Sequence, residues 1–358
     1  MNGSRLRGRA LLVLFAVALA LVPGLSSGAS GANAAGSTRA VEAATPATQR
    51  EWAQLVARAK REGSVAIYSS QSPTSLADFA AKFKAKYGID VTINRQIDTV
   101  TVQQVTTEHS SGRHIADLWV VAARPYVLGA LRNGWVTDAM GPALFAKQYD
   151  RSKLAKPGKA FVVGTAIASF AWNTQRWPRG LRDFPDVLDP DLGGGRIGVV
   201  RPGVPGHVDF WRDYLGAKYG ANFVTRLAAQ KPKLYVSSFP LQNALAAGEV
   251  AAAVFVTPQT LDLKAQGAPV DFRLTPGGSW NSPWWGMILK EAPHPAAAQV
   301  LANYMVTAEG QAAINKGFGA VMKDIPGTYF VAPRVIKLSE FTPKKVNDYI
   351  ASWNSLFT

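Results

Sequence analysis

Residues 57–88 read ARAKREGSVAIYSSQSPTSLADFAAKFKAKYG and contain the pattern from which the fold is predicted. The short apolar run VAIYSS (65–70) predicts a buried strand. Ser72 is placed as a helix N-cap with Pro73 at the first helical position, and residues 74–87 then repeat apolar side chains at helical spacing. A strand followed directly by a helix is the repeating unit of an α/β fold.

The same alternation continues in both directions along the chain. Further strands are predicted at 89–95, 117–122, 161–172, 196–202, 233–238, 251–256, 269–274 and 286–290, and further helices at 50–61, 207–219, 241–247, 295–307 and from 308 onward. This rhythm predicts a mainly parallel α/β sheet with right-handed crossovers. Two α/β series with a return to the first predict two lobes joined by two crossings, with a hinge and a cleft.

The domain prediction follows from this reading. It comprises a signal peptide (1–35), a flexible tail (36–49), a first lobe (50–165 plus 275–320), a second lobe (166–274) and C-terminal helices that pack across the lobes (321–358).

Composition excludes several classes of protein. The 358 residues contain no Cys, which excludes disulfides, thiolate zinc sites, iron–sulfur clusters and Cys nucleophiles. The formal net charge is +15, but Lys and Arg are scattered singly, so no nucleic-acid partner is predicted. The charge indicates a solvated cationic surface or, alternatively, a field that attracts an anionic ligand.

The N-terminus predicts export. Arg5, Arg7 and Arg9 precede an apolar run over 10–25, and Ala-Asn-Ala at 32–34 fits a cleavage site. A transmembrane anchor is the alternative, but the run is shorter than the roughly 20 residues of a membrane span. A lipid anchor would need a Cys at the cleavage point. The protein is therefore predicted to be periplasmic or secreted, without a lipid anchor.

Three turns follow predicted strands and open predicted helices, where free backbone N–H groups can bind a ligand. They lie at 69–72, 201–207 and 237–239, and simple helix capping is the alternative for each. Arg124 follows the third strand and could pair with a carboxylate or phosphonate; a solvated loop arginine is the alternative. The predicted polar contacts to a ligand are Ser70, Gln71, Ser72, Arg124, Arg201, His207 and Ser238.

Aromatic residues supply the second set of candidates. The stretch GGSWNSPWWG (277–286) is interpreted as a Gly/Pro/Ser loop that carries three Trp residues. Such residues can wall a binding site or grip a cationic or planar ligand, or they can fill the surface between the lobes. Tyr68, Trp284 and Trp285 are predicted as walls.

Six segments, in order over residues 50–358, resemble the bacterial extracellular solute-binding proteins of ABC importers, in the group that binds ferric iron, thiamine, phosphonates or polyamines. They are ARAKREGSVAIYSS (57–70), IADLWVVA with GALRNGWV (115–122, 129–136), FAWNTQRWP (170–178), DFPDVLDPDLGGGRIGVVRPG (183–203), SSFPLQNALAAGEVAAAVFV (237–256) and APHPAAAQVLANYMVTAEGQAAI (292–314). The resemblance implies an α/β, two-lobed type II periplasmic-binding-protein fold with a hinge and an interlobe cleft. It also implies that the lobes close on a small ligand, which is then delivered to a membrane permease.

The chain departs from the ferric-binding members of this group. These carry a Tyr-Tyr pair after the strand that follows "aGE" and a His after the first strand, whereas this chain has Phe255-Val256-Thr257 and Gln71-Ser72. Phe has no oxygen for ferric iron, and the four His show no metal-ligand spacing. No metal and no cofactor are therefore predicted. An organic solute is expected, with an iron chelate or ferric iron as the alternative.

No catalytic motif is found in the mature chain. The one G-x-S-x-G match (24–28) lies in the predicted signal peptide, and HExxH, Walker A and GxGxxG are absent. No catalytic residue is predicted, and the protein is expected not to be an enzyme. The predicted function is a monomeric substrate-binding component of an ABC importer that captures a small polar or anionic organic solute. A binding protein that feeds a sensor and a secreted hydrolase are the alternatives from other classes.

Overall fold

A computed structural model describes residues 47–155, 159–334, 339 and 341–357. Its strands are β1 (Ser64–Ser69), β2 (Asp90–Arg95), β3 (Leu118–Val121), β4 (Val136–Thr137), β5 (Ala160–Asn173), β6 (Ile197–Val200), β7 (Lys233–Tyr235), β8 (Ala252–Val256), β9 (Val270–Arg273), β10 (Trp280–Leu289), β11 (Gly319–Ala320) and β12 (Tyr329–Phe330). The predicted signal peptide and most of the predicted tail lie outside the described residues.

The helices alternate with these strands. They are α1 (Gln49–Glu62), α2 (Pro73–Tyr87), α3 (Asp98–Ser111), α4 (Arg124–Arg132), α5 (Arg151–Leu154), α6 (Pro205–Val208), α7 (Gly216–Tyr219), α8 (Phe223–Ala229), α9 (Ser238–Ala246), α10 (Thr260–Ala265), α11 (Pro295–Met305), α12 (Ala308–Ile314) and α13 (Pro343–Leu356). Within the part of the chain described, no helix combines the length and apolar character needed to span a membrane.

Local sequence explains where the first helices begin and end. Thr48 and Glu51 form a capping box at the start of α1, and the predicted cap of α2 is confirmed, because Ser72 accepts a hydrogen bond from the backbone of Ser75. Both helices end at a glycine in the left-handed region, Gly63 (φ 73°) and Gly88 (φ 71°). These caps hold β1 between two well-bounded helices.

The sheet has two parts that share a central strand. In the first part the order is β2-β1-β3-β10-β5, with β1 parallel to β2 and β3. In the second the order is β5-β8-β6-β7, with β6 parallel to β7 and β8. Strand β5 is antiparallel to β10 along the first part and to β8 and β9 along the second. The predicted α/β fold with two lobes is confirmed.

The predicted loop at 277–286 is wrong, because residues 280–289 form β10. Gly277 and Gly278 have positive φ angles of 72° and 118° and turn the chain, and the segment then pairs with β5 from Trp280 to Met287. Pro283 is tolerated because β3 pairs only with residues 285–288, so one side of β10 is open at the proline. Pairing with a distant strand overrides the local turn-forming composition.

Other predicted boundaries also shift. The single helix predicted over 207–219 is instead the short α6, a π-helix over Asp209–Leu215 and α7. Helix α9 begins at Ser238, earlier than the predicted 241. A π-helical segment is uncommon and is frequently found at functional sites.

The described residues form two large apolar cores and a small third cluster around Val208. The first lies between α1, α2, α11 and the first part of the sheet, and Phe79, Trp119 and Tyr304 are buried in it. The second surrounds β6 and β8, and Phe184 and Trp211 are fully buried there. Each lobe therefore has its own core, and β5 and β10 pass from one lobe to the other.

The buried carboxylate of Asp117 ties the first lobe together. One oxygen accepts the backbone N–H of Ala66 in β1 at 2.7 Å, and the other accepts that of His294, just before α11, at 2.6 Å. The His294 ring lies 2.9 Å from the first of these oxygens. Asp117 therefore joins β1, β3 and α11 at one point.

We predict that Asp117→Ala lowers the free energy of unfolding by about 3 kcal/mol, because one buried and one partly buried N–H group lose their acceptor. Urea denaturation monitored by circular dichroism measures this change. Asp90→Ala is the matched control: its side chain is 63% exposed and paired with Lys84 at the sheet edge, so its effect should stay below about 1 kcal/mol. Equal losses for the two variants would contradict the role assigned to Asp117.

Candidate functional site

A cavity of about 230 Å³ lies where strands of both lobes end, and we call it the central cavity. Its lining follows the carboxyl ends of the strands: Ser70 and Ser72 after β1, Arg95 at the end of β2 and Asp98 after it, Ala122 after β3, His207 after β6, Ser238 after β7 and Phe255 near the end of β8. Ligands of open α/β sheets bind at this edge.

A second cavity of about 420 Å³ adjoins it, and we call it the side cavity. The two share lining from Ala122, Ala123, Gly206, Trp280 and Ser282. The segment 332–334 closes the side cavity: the backbone N–H of Arg334 donates to the Asn281 side chain at 2.9 Å. The cleft between the lobes therefore consists of two adjoining compartments.

Seven of the ten predicted site residues lie on these cavities. The central cavity is lined by Ser70, Ser72, His207, Ser238 and Trp284, and the side cavity by Arg124 and Trp285. The two tryptophans are consecutive, and a bulge in the β5–β10 pairing falls between them. Each therefore lines a different compartment.

Tyr68, predicted as a wall, is instead buried in the first core. It is 6% exposed, and its hydroxyl donates to Glu108 Oε1 at 2.6 Å. Burial and the Glu108 carboxylate raise the pKa of Tyr68 to about 12. Glu108 belongs to α3, so packing against that helix sets the direction of the Tyr68 side chain.

Gln71 and Arg201 line neither cavity. Gln71 is 1% exposed, and its amide oxygen accepts from the Ser69 hydroxyl at 3.3 Å. Arg201 is exposed, and its backbone N–H donates to Tyr235. The turns were located correctly, but the direction of each side chain depends on tertiary packing.

Arg95 and Asp98 are cavity residues that sequence reasoning missed. Arg95 is the last residue of β2 and Asp98 lies shortly after it, so the rule applied to the other strand ends would have found them. The Arg95 guanidinium donates to the backbone oxygens of Gln71 at 3.1 Å and Ser70 at 3.4 Å, and it lies 5.5 Å from the centre of the Phe239 ring. Burial lowers the pKa of Arg95, and the nearby Asp98 charge opposes that change.

The Asp98 carboxylate accepts hydrogen bonds from backbone N–H groups that would otherwise face the cleft. Its Oδ2 accepts from Ala122 at 3.0 Å and from Ala123 at 2.7 Å, while Oδ1 has no hydrogen-bond partner among the described residues. Burial raises the pKa of Asp98, and hydrogen bonds from Ser70, Ala123 and Ala122 oppose the rise. The turn after β3 therefore already holds a carboxylate.

Aromatic rings from both cores wall the central cavity. Phe255 and Trp280 belong to the second core and lie 5.3 Å apart; Trp284 and Phe318 belong to the first and lie 5.2 Å apart. Phe255 has a φ of 69°, which is rare for a bulky side chain and is a mark of functional sites.

A hydrogen bond to a buried carboxylate holds the Trp280 ring in place. Its Nε1 donates to Asp209 Oδ2 at 2.6 Å, and Arg334 donates to both oxygens of Asp209, at 2.8 and 3.2 Å. Asp209 is the first residue of the π-helix. A paired, buried carboxylate thus sets the orientation of one cavity wall.

Contacts between the lobes close the outer side of the central cavity. Gln259, just before α10, donates its amide to the Ser72 hydroxyl at the start of α2. Beyond this bond lies an open groove between α2, α9 and α10, of about 920 Å³. The groove lies along helix flanks instead of strand ends, so the central cavity is the better candidate site.

His207 is neutral in this environment. Burial lowers its pKa to about 4, its ring lies 4.7 Å from that of Phe255, and its Nδ1 has no partner among the described residues. This Nδ1 atom is buried, so the neutral ring forms part of the cavity lining. Across the described residues, no group of three or more His, Cys, Asp or Glu is arranged to hold a metal ion.

A family model described as bacterial extracellular solute-binding protein matches residues 65–318, more than two thirds of the chain. This range contains the strand ends that line the central cavity. No curated protein matches the chain.

Solved structures share the fold at low sequence identity. A substrate-binding protein of an ABC transporter from Agrobacterium tumefaciens has a TM-score of 0.69 at 15% identity, over 82% of this chain and 96% of that one. AfuA from Actinobacillus pleuropneumoniae, with bound fructose-6-phosphate, has a TM-score of 0.65 at 19% identity, and iron-bound HitA from Pseudomonas aeruginosa has 0.60 at 19%; each match covers 82% of this chain and 98% of the other. These likenesses establish the two-lobed fold.

We predict that His207 makes stability depend on pH. Folding lowers the pKa of His207 from 6.5 to about 4, so the unfolded chain binds the proton more tightly than the folded protein does. The free energy of unfolding is therefore highest above pH 6.5 and falls as the pH drops from 6.5 toward 4. At pH 5 the loss should be about 2 kcal/mol. Urea denaturation at pH 7 and pH 5 should show a smaller difference for His207→Gln than for the wild type, and identical differences would refute this.

Proposed function

Since this chain belongs to the family of bacterial extracellular solute-binding proteins, we propose that it captures a small polar or anionic organic solute between its lobes and delivers it to an ABC permease. Proteins of this family bind solutes, are not enzymes, and are typically periplasmic. We further propose that residues 1–35 are a signal peptide and that the mature protein acts as a monomer.

The position of the central cavity carries this proposal. Its lining comes from strand ends and helix starts of both lobes, so a bound solute can touch both only when they approach one another. The solute therefore has a higher affinity for the closed arrangement and shifts the population toward it. A permease can distinguish the loaded protein by its closed shape.

The charges in the cleft support a polar or anionic solute. Arg95 brings a guanidinium to the central cavity and Arg124 brings one to the side cavity. Helix α9 starts at Ser238, and none of its N–H groups donates to the side chain of its N-cap residue, Ser237, so its first N–H groups and its dipole favour negative charge.

Ferric iron is a less suitable cargo than an organic solute. HitA is described as iron-bound, but Phe255 lies at the end of β8, where the ferric-binding group carries tyrosines. The other lining groups of the central cavity include serine hydroxyls and Asp98, whose Oδ2 is held by two backbone N–H groups. Few anionic oxygens remain for a hard trivalent cation.

A thermal-shift panel on the mature protein tests the proposal. The panel contains ferric citrate, ferric iron with carbonate, dicarboxylates, aromatic acids, phosphonates, sugar phosphates, thiamine and polyamines. A solute at 100 times its dissociation constant should stabilise the protein by about 2.7 kcal/mol. Stabilisation by an organic solute, verified by calorimetry, supports the proposal, whereas stabilisation by free ferric iron alone or by no solute contradicts it.

We predict that Gly206→Leu blocks the cleft. Gly206 lines both cavities, and a Cβ there would lie 3.7 Å from the Trp280 ring and 3.9 Å from Ser282 Oγ, so a larger side chain extends into the cleft. Affinity for the solute found by the panel should fall about 10- to 100-fold, as measured by calorimetry.

The control variant for this prediction is Gly203→Leu. Gly203 belongs to the same turn, is exposed and has no atom within 4 Å of its added Cβ. It should bind as the wild type does. Equal affinities for the two variants would place the solute outside the cleft.

A further inference from the structure

Five Phe and Trp side chains line the central cavity. Phe239, Phe255 and Trp280 line it from the second lobe, and Trp284 and Phe318 line it from the first core. Ring contacts occur within each set, Phe255 with Trp280 and Trp284 with Phe318, and the cavity lies between the sets. A flat ligand can stack or make edge contacts with both.

The volume fits one ring with a substituent. The central cavity holds about 230 Å³, and an apolar cavity of about 150 Å³ is enough for benzene. Two of the lining hydroxyls already accept hydrogen bonds within the protein. Ser72 accepts from Ser75 and Gln259, and Thr257 accepts from Gln242 at 3.0 Å. Each further buried ligand hydroxyl would need a new partner or would cost free energy.

Arg95 supplies the complementary charge at one side of this cavity. A guanidinium has five N–H groups, and the two hydrogen bonds to Gln71 and Ser70 use only two of them. The planar fork that remains suits a carboxylate. Phe239 lies against the guanidinium, 5.5 Å away, so the cation and the aromatic wall are adjacent.

Asp98 is the acidic neighbour of Arg95 in the same lining. Its Oδ2 is stabilised by the two backbone N–H groups of Ala122 and Ala123 and by its place in the first turn of α3. Its Oδ1 is buried and has no hydrogen-bond partner among the described residues, so the cationic group that a ligand meets at this side of the cavity is the Arg95 guanidinium.

We infer that the solute of this protein is a planar aromatic carboxylate of about one ring, whose carboxylate pairs with Arg95 while its ring lies between the aromatic walls of the two lobes. This inference rests on the proposed function and specifies the class of solute.

Matched probes test the class. Benzoate and 4-hydroxybenzoate have a flat ring and a carboxylate, cyclohexanecarboxylate has the same carboxylate on a puckered ring, and phenol has the ring without the carboxylate. Calorimetry on the mature wild type should show the benzoates binding about tenfold or more tighter than either other probe. Wild-type tryptophan fluorescence should change on titration with benzoate, with the same dissociation constant, since Trp280 and Trp284 line the cavity.

A pair of arginine variants tests the carboxylate contact. Arg95→Gln should lower the affinity for benzoate at least tenfold, while Arg201→Gln, which removes an exposed arginine outside both cavities, should leave it unchanged. Melting temperatures of the two variants verify folding. If Arg95→Gln does not fold, the phenol-to-benzoate comparison on the wild type measures the same contact.

The outcomes distinguish a failure of the inferred solute class from a failure of the proposed binding function. Equal affinity for benzoate and cyclohexanecarboxylate, equal affinity for benzoate and phenol, or no binding of either benzoate overturns the inference. If a sugar phosphate or polyamine of the wider panel binds and the benzoates do not, the solute class is wrong and the binding function remains. If no solute of the panel binds, both fail.

Discussion

The antiparallel pairing of β5 with β10 is the interaction on which the rest of this structure depends. Residues 160–168 of β5 pair with residues 280–287 of β10, and the remainder of β5 pairs with β8 and β9 in the second lobe. These two long strands run from one apolar core into the other and place the strand ends of both lobes around one cleft. Because side-chain direction alternates along a strand, this register also decides which side chains reach the cavity.

Much of the architecture could be predicted from sequence because it depends on local signals. The Ser72 cap with Pro73 and the apolar run at 65–70 specify a strand and a helix with few alternatives. Long-range pairing was harder to foresee: the Gly- and Pro-containing stretch before Met287 has the composition of a loop, yet it becomes a strand because β5 offers a partner.

The candidate site was predictable by position and less so by side chain. The carboxyl ends of strands led to Ser70, His207 and Ser238, which line the central cavity. The same rule did not reveal that Tyr68 turns into the core toward Glu108, or that Arg95 turns into the cleft. Those directions depend on the packing of α3 against β1, which no local pattern encodes.

In the first lobe, the Asp98 carboxylate binds two N–H groups that an anionic solute could otherwise bind. Its carboxylate satisfies the N–H groups of Ala122 and Ala123 before any solute arrives, so the cost of stripping water from these groups is met during folding and not during binding. The solute then meets a preorganised surface at this turn, and its binding free energy can come from contacts elsewhere in the cleft. The N–H groups of this turn could otherwise bind many anions. Because Asp98 already binds them, fewer kinds of solute can bind in the cleft.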